Sequence, residues 1–174
     1  MGEGSTLLRI IRIIPDTAVD GPGLRTALYF AGCHHHCPGC HNPGSWDPAV
    51  GRDWTIEEVL SEIRDSGHHR VTVTGGDALC FQADGLRELL RALEAEGLAK
   101  DIWLYTGYTY EEVVAKFPWV LGTVSVIVDG RFRADLRDTE LLYRGSSNQR
   151  LVDVRESVRT GTLTLWDPAS SLSM

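Results

Sequence analysis

At 174 residues, with 43% hydrophobic and 24% charged side chains, the chain has ordinary globular composition and enough material for one good core, which argues against disorder. A formal net charge of −7 without a Lys/Arg run excludes a general grip on nucleic-acid phosphates, and no apolar stretch nears the roughly 20 residues of a membrane helix. The start MGEGSTLLRI lacks a basic region followed by an apolar one, so the cytoplasm is the expected location.

In chain order, strand-like runs rich in Ile, Val, Leu and aromatics are expected at 7–14 and 26–31. The segment GCHHHCPGCHNPGSW follows the second run. A helix is expected from TIEEVLSEIRDS, with Thr55 as N-cap, Glu57 and Glu58 in the first turn, and Ile56, Val59, Leu60 and Ile63 on one face. A strand at 70–74 leads into GGDALC, and DGLRELLRALEAEG then sets Leu86, Leu89, Leu90 and Leu93 at helical spacing, with Gly97 as the stop. A strand at 101–105, a short helix from Thr109 to about Lys116 before Pro118, and a strand at 123–128 follow. The tail WDPASSLSM, 166–174, reads as loose.

Strands alternating with helices imply parallel pairing through right-handed crossovers, an α/β fold. A complete eight-unit barrel needs about 250 residues, so residues 1–174 are expected to form a single domain with a partial, open (β/α) barrel. In parallel α/β folds the ligand site lies beyond the carboxyl ends of the strands. The unusual residues of this chain collect there, in the cysteine loop, GGDALC, TGY and DGRF.

Three of the four cysteines fall within eight residues, as Cys33-x3-Cys37-x2-Cys40. Clustered thiols outside a secretory context point to metal binding rather than disulfides. Cluster iron prefers thiolate, and Pro38 and Gly39 force a turn that wraps the chain around its ligand. Three cysteines on a four-iron cubane leave one iron open, by the logic that separates catalytic from structural zinc sites. Zinc is the alternative, since His34, His35, His36 or His41 could complete a Cys3His site. The second signal is Thr74-Gly75-Gly76-Asp77 after a β-branched strand. Two glycines let backbone groups approach a ligand, and Asp77 offers a carboxylate to a ligand ammonium. Alone, the same turn reads better as a tight strand-to-helix bend with Asp77 as a helix cap; it gains meaning one strand–helix unit after the three-cysteine loop.

CxxxCxxC followed by a GG(E/D) turn resembles the radical S-adenosylmethionine superfamily. More closely, VDGPGLRTALYFAGC, CPGCHNPGSW, GGDAL, KDIWLYTGYTYEE, VDGRF and YRGSSNQR resemble the small activating proteins of anaerobic (class III) ribonucleoside-triphosphate reductases, in their order and nearly throughout the chain. GSSNQR is the most discriminating segment, because the wider superfamily does not share it. The resemblance implies that Cys33, Cys37 and Cys40 bind a [4Fe–4S] cluster whose fourth iron is chelated by S-adenosylmethionine. It implies that Gly76 and Asp77 hold the methionine part, with Gly75 shaping the turn, and that Gly39 and His41 lie against the nucleoside. Thr106, Gly107 and Asp129 are implied to face the cofactor, as is Asn148. Two positions depart from the superfamily pattern: Ala78 stands where Pro is usual, and Gly39 where an aromatic is frequent. The second departure matches the reductase-activating subfamily. The implied activity is reductive cleavage of S-adenosylmethionine and formation of a glycyl radical on the anaerobic reductase, with flavodoxin or ferredoxin as electron donor. Other readings are radical chemistry on another glycyl-radical enzyme or a small molecule, and a structural zinc or iron–sulfur module that binds a partner.

The remaining residues read more plainly. His34, His35 and His36 are expected as solvated loop histidines, and His68 and His69 as surface residues. Cys80 is expected as a small, semi-buried thiol, its alternative being a role near the Gly-Asp turn. The five tryptophans are taken mostly as core or interface residues. DGPG at 20–23 is expected as a structural turn, with Arg25 as a charge partner near the site.

Overall fold

The computed structural model describes residues 6–171. Its longest strand, β1 (Leu7–Thr17), buries Leu8 and Ile10 completely. β1 pairs antiparallel with β2 (Arg25–Phe30) on one side and with the short edge strand β3 (Arg52–Thr55) on the other. From β2 the sheet continues in parallel through β4 (Arg70–Gly75), β5 (Asp101–Tyr105) and β6 (Val126–Asp129). β7 (Arg150–Asp153) ends it antiparallel to β6, giving one open sheet in the order β3-β1-β2-β4-β5-β6-β7. The fold is therefore α/β with an open sheet rather than a closed barrel, as the chain length implied. Parallel pairing holds only for the central strands. No α-helix separates β1 from β2 or β6 from β7, so those pairs fold back on themselves.

Local chemistry explains the helices. α1 (Ile56–Ser66) starts with a capping box: Thr55 Oγ1 accepts from the Glu58 N–H, and the Glu58 carboxylate accepts from the Thr55 N–H. α2 (Ala78–Phe81) is a single turn, and α3 (Ala83–Ala95) buries Leu86, Leu89, Leu90 and Leu93. Gly97, at φ +71°, stops α3 while the Leu98 N–H bonds back to Leu93 O. α4 (Tyr110–Lys116) repeats the capping box with Thr109 and Glu112, and α5 (Val154–Thr160) is capped by Asp153. The leucine faces pack on Leu28, Phe30, Val71, Val73, Ile102, Leu104 and Ile127, which form one side of the sheet.

The other side carries Trp103, Val126 and Val128, covered by Tyr143, Leu151 and Trp166. Trp166 belongs to the segment expected to be loose, yet its ring centroid lies 5.0 Å from that of Trp103 and its N–H bonds to Leu151 O. Only the last part of that segment, 172–174, lies outside the described residues.

Arg25 corrects a second expectation. Its fully buried guanidinium donates to Thr72 Oγ1, to the Pro22 and Val71 carbonyls, and to Asp101 at 2.7 Å. Asp101 opens β5, so Arg25 fastens the end of the sheet opposite the strand carboxyl ends. DGPG takes part in that fastening, because Asp20 O accepts from Thr72 Oγ1. The strand expected from residue 123 begins at Val126, because the 3-10 turn Pro118–Gly122 runs into Thr123.

Candidate active site at the strand ends

Cys33 leaves the end of β2 one residue after Gly32, and the loop folds back on itself: Gly32 N–H bonds to Ser45 O at 2.7 Å and Cys33 N–H to Trp46 O at 3.1 Å. Between them, the Cys40 N–H bonds to Cys37 O around Pro38 and Gly39. This is a four-residue turn whose third position, Gly39, has φ +77°. Gly39 is exposed and does not line the site cavity; its place is set by the turn.

Two glycines press the next strand end against that loop. A Cβ on Gly75 would lie 2.6 Å from the Phe30 backbone, and one on Gly76 would lie 2.5 Å from Gly32 O. The Gly76 and Asp77 N–H groups bond to Phe30 O and Gly32 O, both at 2.8 Å. Bare backbone at this turn is thus required by strand-to-strand contact inside the protein.

A cavity of about 310 Å³ opens at this seam. Cys33, Cys37, Cys40 and His41 line it together with Gly75, Gly76, Asp77, Thr106 and Gly107. Tyr29, Trp46, Tyr105 and Phe132 supply aromatic surface, and Arg144 and Gln149 enter from the segment before β7. Asp129 and Asn148 do not line it. Asp129, 1% exposed, accepts from Arg150 and from the Tyr110 N–H, and Arg150 reaches on to Glu111. The two carboxylates raise the Arg150 pKa, and Arg150 lowers that of Glu111. Asn148 donates to Arg131 O. Gln149, one residue on, was not singled out from the sequence. Its side-chain oxygen accepts from the Gly145 and Ser146 N–H groups, and its amide donates to Gly130 O.

Asp77 differs most from its expected role. Its carboxylate is 2% exposed and already accepts from the Leu79 N–H, Thr106 Oγ1, the Gly107 N–H and His35 Nε2, the last three at 2.8 Å. It both caps α2 and ties three strand ends together, so it is not a free acceptor for a ligand ammonium. The histidines of the cysteine loop are likewise not all solvated. The His35 side chain is 1% exposed, His34 Nε2 lies 2.9 Å from the Tyr108 hydroxyl, and His36 stacks on Trp46. His68 is held against Pro15 O and Asp16.

All four thiols are unbridged. Cys33 is drawn down to about 6, chiefly because the Cys80 thiol donates to it, with the His35 N–H as a further donor against the opposing effect of burial. Cys80, as that donor, is pushed far up. Burial raises Cys37, and the negative charges of Cys33 and Cys40 add to the shift. Among the described residues, the one group whose ligand atoms draw within 4.8 Å of one another is Cys33, His35 and Cys80, which contains a single cysteine of the loop trio. A tetrahedral zinc with bonds of about 2.3 Å needs its sulfurs closer together than the trio sets them. Three free thiols that line one cavity without all coming within 4.8 Å of one another fit a multinuclear cluster better than a single ion.

Residues 19–152 match the family described as a 4Fe-4S single cluster domain, so the chain belongs to that class of iron–sulfur protein. Within that class, the chain belongs to the family of anaerobic ribonucleoside-triphosphate reductase-activating proteins. It is 38% identical to the Salmonella typhi member over 148 residues, 82% of this chain and 96% of the other. It is 38% identical to the member from Escherichia coli (strain K12), covering 78% of this chain and 92% of the other. The member from Enterobacteria phage T4 is 40% identical over 80% of this chain and 90% of its own length. A more distant overlap, with a TM-score of 0.47 at 17% identity over 59% of this chain and 53% of the other, is with the crystal structure of QueE from Escherichia coli.

Proposed function

We propose that this chain is a radical S-adenosylmethionine activase that installs a glycyl radical on an anaerobic ribonucleoside-triphosphate reductase in the cytoplasm. The observation that carries the reading is that Cys33, Cys37 and Cys40 line one cavity together with the Gly75–Gly76 turn. When bound, a [4Fe–4S] cluster reduced by flavodoxin or ferredoxin supplies the electron that splits S-adenosylmethionine into methionine and a 5′-deoxyadenosyl radical, which takes hydrogen from a glycine Cα of the reductase.

The chain contributes binding, orientation and shielding. Cys33, Cys37 and Cys40 would hold the cluster through their three thiolates, and with no fourth cysteine in the loop an iron would remain available to S-adenosylmethionine. Gly75 and Gly76 offer backbone to its methionine end. Asp77 is a positioning residue, fixing the Thr106–Gly107 loop and His35 through its hydrogen bonds. His41 stands beside Phe132, ring centroids 5.1 Å apart, as a wall for the nucleoside. Asp129, Asn148 and Gln149 shape the segment between β6 and β7 from outside or at the rim. The aromatic lining keeps water and stray side chains from a reactive radical.

Anaerobic reconstitution tests this reading. The wild type should take up a cluster that bleaches with dithionite and form 5′-deoxyadenosine from S-adenosylmethionine. Cys37→Ala should lose both. A colourless protein with no cleavage would contradict the proposal.

A further inference from the structure

A second set of ligating side chains converges at the edge of the cavity, where Cys33 and His35 line it and Cys80 does not. The sulfurs of Cys33 and Cys80 and a ring nitrogen of His35 all lie within 4.8 Å of one another. His35 Nε2 is fixed 2.8 Å from Asp77 Oδ2, while its Nδ1 is buried without a hydrogen-bond partner. With Nε2 engaged by the carboxylate, Nδ1 is the ring nitrogen left without a protein partner. Metal-ligating histidines are oriented in this manner, one nitrogen held by a carboxylate and the other left to the metal. Backbone N–H groups support both sulfurs, that of His35 on Cys33 and that of His34 on Cys80. Cys80 sits in α2 and does not line the three-cysteine cavity.

We propose that Cys33, Cys80 and His35 Nδ1 form a mononuclear zinc site in the cluster-free protein. Two thiolates and one imidazole are a donor set that zinc favours, with water in the fourth position. Cys80 releases its proton on binding. Because Cys33 is common to both sets, zinc and cluster exclude each other. That exclusion rests on the cluster reading above, whereas the zinc site itself does not.

The test is anaerobic zinc titration of the full, cluster-free chain against a chromogenic chelator, in the wild type, Cys80→Ser and Cys37→Ser. The wild type and Cys37→Ser should each bind one zinc. Losing even an outer partner of a metal ligand costs about 10–100-fold in affinity, so Cys80→Ser, which loses a thiolate ligand, should bind at least that much more weakly. Cluster reconstitution should show the reverse pattern, retained in Cys80→Ser and lost in Cys37→Ser, which also establishes that Cys80→Ser is folded. Cobalt in place of zinc should give sulfur-to-metal charge transfer in the wild type and Cys37→Ser, and less of it in Cys80→Ser. Loss of zinc from Cys37→Ser, or undiminished affinity in Cys80→Ser, overturns the site. Absence of a cluster in every protein, with the zinc pattern intact, would contradict the cluster reading alone.

Discussion

Asp77 joins the cysteine loop, the turn after β4 and the turn after β5 through His35, Leu79, Thr106 and Gly107. An amide in its place aims an NH2 group at one of those donors and leaves a buried bond unmade. Asp77→Asn should therefore lower the unfolding free energy by about 2–4 kcal/mol, and urea denaturation reads it directly. A second residue-scale prediction concerns Tyr29, whose hydroxyl donates to Asp20 at 2.9 Å. Burial, and then the Asp20 charge, push it up to about 12. The folded state thus keeps a proton that the unfolded chain gives up near pH 10, so this contribution is intact below pH 10 and is lost as pH rises toward 12. Unfolding free energy measured across that window should fall less steeply in Tyr29→Phe than in the wild type.

At this scale the cysteine trio and the Gly-Gly-Asp turn could be read from the sequence, because residue type and short spacing carry the signal. The partner of Asp77 could not. His35 is 42 positions away and meets it only after the loop folds back on Ser45 and Trp46. In GSSNQR the motif was legible, but which side chain enters the cavity depends on the bend that turns Gln149 inward.

Among the secondary-structure elements, the contact between β2 and β4 is set by glycine. Gly75 has φ +104° and would drive a Cβ to 2.6 Å from the Phe30 backbone, whereas Gly67, at φ +77°, has nothing within 4 Å. Gly75→Ala should combine conformational strain with a backbone clash and cost well over the roughly 1 kcal/mol expected for Gly67→Ala. Equal losses in parallel denaturation curves would contradict the account of this seam. The starts of α1 and α4 were legible because Thr55 and Thr109 open capping boxes in four residues, whereas the short helices α2 and α5 were not. β3 and β7 were not, since four residues such as Arg52–Thr55 carry too short an alternation and owe their strand geometry to β1 and β6. The antiparallel edges were missed for the same reason.

For the molecule as a whole, the open sheet has two functional ends. At one, Arg25 is fully buried against Asp101 and the Trp103 ring. Removing the half-buried carboxylate leaves the guanidinium with neutral acceptors only, so Asp101→Ala should cost about 1.5–3 kcal/mol in stability. At the other, the ends of β2, β4, β5 and β6 bring together the cysteines, the glycine turn, Thr106–Gly107 and Gly130 around one cavity. That separation lets one end fasten the strands while the other carries bare backbone and free thiols. The most direct measurement of the central claim is electron paramagnetic resonance after anaerobic incubation of the reconstituted chain with dithionite, S-adenosylmethionine and an anaerobic ribonucleoside-triphosphate reductase. The account predicts a glycyl-radical doublet on the reductase, absent with Cys37→Ala. Formation of 5′-deoxyadenosine without any protein radical would contradict it.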